Sequence, residues 1–171
     1  MKNKSLILII VSIFVAAMFG MAVAGMHGGD GKGCKYCGMD LEKFANTAMM
    51  IKYDDGSMSE TCSLHCAAID LAVHIGSAPE SIMVGDYLSK KKIDAEKAYW
   101  VIDSNNPGVM TSRAKWAFDD KGKAANFIDT NCAGAGKLVG FEEALKAAYE
   151  DMYADTQMIR KKRKMMHMKG M

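Results

Sequence analysis

Five cysteines carry the chemistry that this 171-residue sequence can do. In "GCKYCGMDL", residues 33–41, Cys34 and Cys37 stand three apart, and Met39 follows. After 24 further residues comes a second pair, Cys62 and Cys66 in "TCSLHC"; Cys132 stands alone. Thiols so spaced serve as disulfides, as a zinc clamp, as a redox pair, or as ligands for a metal that prefers sulfur. Haem attachment is excluded, because Gly38 rather than histidine follows Cys37. A thioredoxin-like role lacks the strand that would aim Cys34 at a helix N-terminus.

Two cysteine pairs separated by a hairpin, with the second entering a helix, match a four-thiolate zinc site. The spacing also resembles small treble-clef metal-sensing modules of the TRASH type. Met39 points elsewhere, since neither zinc nor a disulfide needs a thioether beside Cys37. Cuprous copper does, because thiolate and thioether select it over harder ions. In an extended "CGM", side chains two apart share a side, which sets Cys37 and Met39 together. Gly38 lets the backbone turn closely around a small ion. A third soft ligand would complete a trigonal site, and Met110 in "NPGVMTS" is the candidate. Cys62, Cys66 and His65 form a possible second metal or disulfide site, with His65 equally readable as an exposed helix-face residue. His74, at the end of that helix, reads as a favourable C-terminal charge.

The elements that must position these groups follow from local pattern. "TAMMIKY", "DDGS" and "MSETC" read as a hairpin around Asp55-Gly56. Ser63 reads as the N-cap of a helix whose inward face is Leu64, Ala67, Ala68, Leu71 and Ile75, ended by Gly76. Short strands around a charged turn fill "SIMVGDYLSKKKIDAEKAYWVID", followed by a loop, a strand at "KWAF", a helix at "DKGKAANFIDTNC" and a strand at "GKLVG". From Phe141 a long helix runs with Leu145, Ala148, Met152 and Met158 inward. The order predicts an α+β fold of two ββαβ units, about residues 47–88 and 98–140, with mostly antiparallel sheets.

Composition sets the compartment and the partners. Lys2 and Lys4, an uncharged apolar run, and Ala22-Val23-Ala24 predict an export signal over residues 1–24, cleaved after Ala24. The expected location is periplasmic, with membrane attachment only if the signal stays uncleaved. Residues 25–33 form a glycine-rich leader, residues 34–160 the metal-binding domain, and residues 161–171 a basic tail rich in methionine. Residues 25–159 hold 14 basic against 20 acidic side chains, a formal −6, and the six other basic groups after Ala24 lie in residues 160–171. That distribution does not suit a nucleic-acid binder. Thirteen of sixteen methionines follow Ala24, more than a core needs for filling gaps. Met165, Met166, His167 and Met168 suggest an accessory copper site. Cleavage after Ala24 would expose Gly25-Met26-His27, whose amine, two amides and imidazole offer the square-planar nitrogen set that Cu(II) prefers.

"CKYCGMDL", "AYWVIDSNNPGVMTSRAKWAFDDKGKAANFI" and "GKLVGFEEAL" together resemble the NosL family over roughly residues 33–145. "TCSLHC" and the tail go beyond its common pattern. Members are exported copper-binding accessory proteins that supply nitrous-oxide reductase. The resemblance implies a pair of ββαβ units, and Cu(I) held by Cys37, Met39 and Met110 with Cys34 nearby. The expectation is therefore a metallochaperone rather than an enzyme, carrying Cu(I) to a copper-dependent client. The alternative is a four-cysteine zinc or heavy-metal-sensing module.

Overall fold

The computed structural model describes residues 33–103 and 105–169. Residues 1–32, where the sequence predicts an export signal and most of a leader, lie outside them. Two ββαβ units follow one another. The first contains β1 (Met49–Tyr53), β2 (Met58–Thr61), α1 (Leu64–Val73) and β3 (Pro79–Gly85). A short β4 (Lys92–Asp94) links it to β5 (Tyr99–Asp103), β6 (Ala114–Phe118), α2 (Lys121–Asn131) and β7 (Gly136–Val139). The closing helix, α3, spans Phe141–Lys169. The first sheet runs β2-β1-β3-β4 and the second β6-β5-β7, all neighbours antiparallel. The α+β class and the doubled order expected from local pattern are what the chain adopts.

The β1–β2 turn forms where the aspartate-glycine pair predicts it. Gly56 takes φ +81°, a conformation that costs a residue without Cβ little, and its N–H reaches the Tyr53 carbonyl. In register, Met49 faces Thr61 and Val84, and Ile51 faces Ser59 and Ile82. Alternation then puts Met49, Ile51 and Tyr53 on one buried face.

One core serves both sheets, α1 and α3. Ile51, Val84, Trp100 and Ile102 meet Leu64, Ala67 and Ala68 from α1 and Ala144, Ala147 and Ala148 from α3. A second core packs the opposite face of β5, through Val101, with Trp116, Phe118 and Ala124. Trp100 and Val101 thus point to opposite sides of a strand covered on both faces.

Expectations about two of the helices change. Ser63 occupies the N-cap position of α1 with extended backbone, but its side chain caps nothing. The helix stops at Val73, because His74 turns its Nδ1 onto the Asp70 carbonyl and stacks on Tyr53. Ile75 is consequently left in solvent rather than in the core. Of the inward residues expected on α3, Ala148 is buried and Leu145 and Met152 pack on the core, but Met158 is exposed. The helix outlasts the core beneath it and carries the basic segment on as regular helix through Lys169.

Candidate metal centre

The segment before β1 is a knuckle that folds back on itself. Cys34 N–H donates to the Met39 carbonyl and Gly38 N–H to the Cys34 carbonyl, each at 2.8 Å. Gly38 sits at φ +75°, so Cys37 and Met39 come together across a tight turn rather than along extended backbone. An anchor outside the sulfur set holds the knuckle down. Tyr36 Oη donates to Asp70 at 2.5 Å, and Asp70 also accepts from Tyr53 Oη and Ser59 Oγ, both at 2.6 Å. Burial pushes the Asp70 carboxyl up, but these hydroxyls and the Lys35 ammonium outweigh it and hold the group below the usual carboxylate range. Residues 41–47 then cross close to β3. A Cβ on Gly85 would stand 1.9 Å from the Ala45 carbonyl oxygen, so only glycine permits that approach. From this segment Thr47 Oγ1 donates to the Cys62 carbonyl at 2.8 Å.

These constraints gather both cysteine pairs into one cluster. The sulfurs of Cys34, Cys37, Cys62 and Cys66 all lie within 4.8 Å of one another. Cys37 Sγ is 3.4 Å from Cys62 Sγ, and Cys62 Sγ is 3.8 Å from Cys66 Sγ. All are free thiols. Four sulfurs about 2.3 Å from a central ion would be spaced by roughly 3.8 Å, so the cluster has the size of a tetrahedral thiolate site. In this structure Cys62 and Cys66 are unbonded to each other and stand in one group with Cys34 and Cys37 rather than apart from them.

The protons of the cluster are unequally held. Hydrogen bonds from Cys37, Cys62 and Cys66 drive Cys34 far below the ordinary thiol range. At Cys37 the Cys34 sulfur opposes ionisation, but Cys62, Cys66 and the Met39 N–H favour it, and its pKa is lowered to about 7. Hydrogen bonding with Cys34 and Cys37 pushes Cys62 and Cys66 up, and burial adds to it. Ionisation is thus favoured at Cys34 and Cys37 and opposed at Cys62 and Cys66, and a bound cation would favour it at all four.

Met39 and Met110 pack against the cluster from its open side. Met110 sits at φ +64° in a turn closed by Gly108 N–H on the Thr111 carbonyl at 3.0 Å. A left-handed conformation at a side chain without special tolerance for it costs roughly 1–2 kcal/mol, and here it is spent at the proposed ligand. Cys37, Met39 and Met110 all line a cavity of about 720 Å³. Cys34, Cys62 and Cys66 do not line it; they are buried behind Cys37.

His65 lies elsewhere. It is buried, and its Nδ1 meets Asp155 Oδ2 of α3 at 3.2 Å, so it is neither an exposed residue nor a member of the sulfur cluster. Burial lowers its pKa, against the pull of Asp155. Cys132 is remote and buried, and burial with the Asp103 carboxylate beside it pushes the thiol up to about 11. Met165, Met166, His167 and Met168 all lie on the exposed last turns of α3, and of these Met166 lines the cavity. Gly25 and His27 lie outside the described residues. Sequence reasoning missed the Asp70 anchor, because no local spacing marks an aspartate as a hub for three hydroxyls. It also read Met158 as core, although the spacing of Met158, Lys162 and Met166 at i, i+4 and i+8 marks a helix face of its own.

Among curated proteins no sequence matches this chain. A search of solved structures finds the crystal structure of the copper chaperone NosL from Shewanella denitrificans. It is similar at 21% identity and TM-score 0.52, over 70% of this chain and 94% of that one. That likeness extends to the fold. The NosL family model matches residues 26–149, most of the chain. By that match the chain belongs to the NosL family.

Proposed function

We propose that the protein is an exported metallochaperone that takes up Cu(I) at Cys37, Met39 and Met110 and passes it to a copper-dependent client such as nitrous-oxide reductase. It catalyses no reaction of its own. The observation that carries this reading is the position of Cys37. It is the cysteine that belongs both to the buried thiol cluster and to the thioether-lined cavity. Family membership and the name of the similar structure support copper as the cargo.

The geometry suits transfer better than storage. Cys37, Met39 and Met110 offer one thiolate and two neutral thioethers, the soft donors that select Cu(I). An incoming client thiolate or thioether attacks from the cavity, forming one bond to copper as one bond to a protein thioether breaks. Copper stays in the +1 state throughout. When Cu(I) binds Cys37, any proton left on the thiol passes to water. Cys34, Cys62 and Cys66 stand behind as reserve sulfur donors that hold the metal if the cavity side opens, any proton on them passing to water.

The sulfur spacing favours a second reading, a four-thiolate zinc centre on Cys34, Cys37, Cys62 and Cys66. Metal analysis of protein isolated anaerobically under reducing conditions separates the two. Copper that Met39→Ala or Met110→Ala weakens supports the chaperone. Zinc bound with affinity unchanged by either replacement overturns it in favour of the zinc module.

A further inference from the structure

Helix α3 runs on beyond residue 149, where the family match ends, and that part is tied to the segment that follows Met110. Asp155 Oδ1 accepts from the Ser112 N–H at 3.0 Å, two residues after Met110, while its Oδ2 meets His65. One turn earlier Asp151 accepts from Lys115 Nζ at 2.7 Å and from Arg113 Nε at 2.9 Å. The helix is thereby held against the Met110 loop just before Met158. Beyond that clamp, Met158 and Met166 line the same cavity as Cys37, Met39 and Met110. Both remain accessible, at 42% and 56% exposure.

We propose that Met158 and Met166 each present, at this cavity, an outer thioether stop for Cu(I) that loads the inner centre. The proposal rests on the reading of Cys37, Met39 and Met110 as a Cu(I) site and adds a second site in front of it. Five sulfur side chains then grade from neutral thioethers outside to thiolate inside. Thioether donors bind Cu(I) without losing a proton, and they hold hard ions poorly. The other charged residues lining the cavity are Lys43, Lys162 and Arg163, with no carboxylate among them. Coulomb repulsion from these cations doubles for a divalent ion at the same place, which adds a bias toward a monovalent ion. In the loading step, the bond from copper to the Met158 or Met166 sulfur breaks as bonds to Met39 and Cys37 form. The metal remains Cu(I), and a proton leaves Cys37 for water if the thiol was still protonated. Net movement is inward because thiolate binds the ion more strongly than thioether does.

Silver(I), a stand-in for Cu(I) that does not change oxidation state, tests this in the full chain with 13C-labelled methionine methyl groups. The first equivalent is expected to shift Met39 and Met110, and a second equivalent Met158 and Met166. The doubly substituted Met158→Leu/Met166→Leu protein keeps helix propensity and bulk; it should lose the second equivalent and retain the first. Anaerobic stopped-flow transfer from a Cu(I)-chelator complex should then fill the inner centre more slowly in the double variant. The proposal is overturned if the first equivalent binds inside while the Met158 and Met166 methyls stay unmoved by the second. It is equally overturned if the double variant still binds both equivalents. Failure of the first equivalent to move Met39 and Met110 would instead strike the Cu(I) reading of the inner centre.

Discussion

Asp70 offers the sharpest test of how the fold holds the knuckle. Its side chain is fully buried and accepts three hydroxyl hydrogen bonds, from Tyr36 and Ser59 on Oδ1 and from Tyr53 on Oδ2. Asp70→Asn keeps Oδ1 as a neutral acceptor and puts an amide N–H2 against the Tyr53 hydroxyl. One charge-assisted bond is lost and two are weakened. With each bond to a charged group worth about 1.5–3 kcal/mol, the net cost comes to about 3 kcal/mol. For a domain of this size that lowers the metal-free Tm by roughly 6–12 °C. The loss also carries a pH signature. The folded pKa of Asp70 is depressed, so its contribution is present above the unfolded value and is lost as pH falls through the folded one. Wild-type stability should therefore decline below about pH 4 more steeply than that of Asp70→Asn. Because Tyr36 lies between Cys34 and Cys37, the variant should also bind metal more weakly. Thermal unfolding by circular dichroism across pH, with and without Cu(I), measures all three effects. A metal-free Asp70→Asn protein within about 1 kcal/mol of wild type would refute the view that this carboxylate anchors the knuckle.

Met110→Gly should separate binding from folding. It relieves the left-handed strain of roughly 1–2 kcal/mol while losing some packing, so stability stays near wild type as Cu(I) affinity collapses in a chelator competition. Asp151→Ala removes the partner of buried Lys115, whose pKa burial already lowers against the pull of Asp151. With Thr111 and the Arg113 carbonyl as remaining partners, the cost should be about 2–3 kcal/mol by urea unfolding. Wild-type stability would show that Lys115 needs no counter-charge. Cys132, with its pKa pushed up to about 11 and no exposed surface, should resist iodoacetamide in the native metal-free protein while Cys37 reacts. Mass spectrometry of the alkylated peptides reads this out, and labelling of Cys132 at the rate of Cys37 would contradict its burial.

What the sequence by itself determined here is local. The aspartate-glycine turn, the alternation in β1, the glycine inside Cys37-Gly38-Met39 and the ββαβ order twice over depend on residues within a few positions of one another. Backbone sterics and side-chain periodicity act at that range and leave readable marks. The candidate ligands Cys34, Cys37, Met39 and Met110 were legible by type, because soft donors are chemically distinctive wherever they fall. Tertiary structure decided how they assemble. Cys37 and Cys62 touch across 25 positions, and His65 finds Asp155 across 90. No periodicity encodes such pairings; they arise from how sheet, α1 and α3 bury a shared core. For that reason the second cysteine pair joined the first instead of making its own site, and His65 left the surface. The core also ends before α3 does. Met158 therefore keeps the apolar spacing of a buried residue, yet it stands at the mouth of the cavity, because no core remains beneath that turn of the helix.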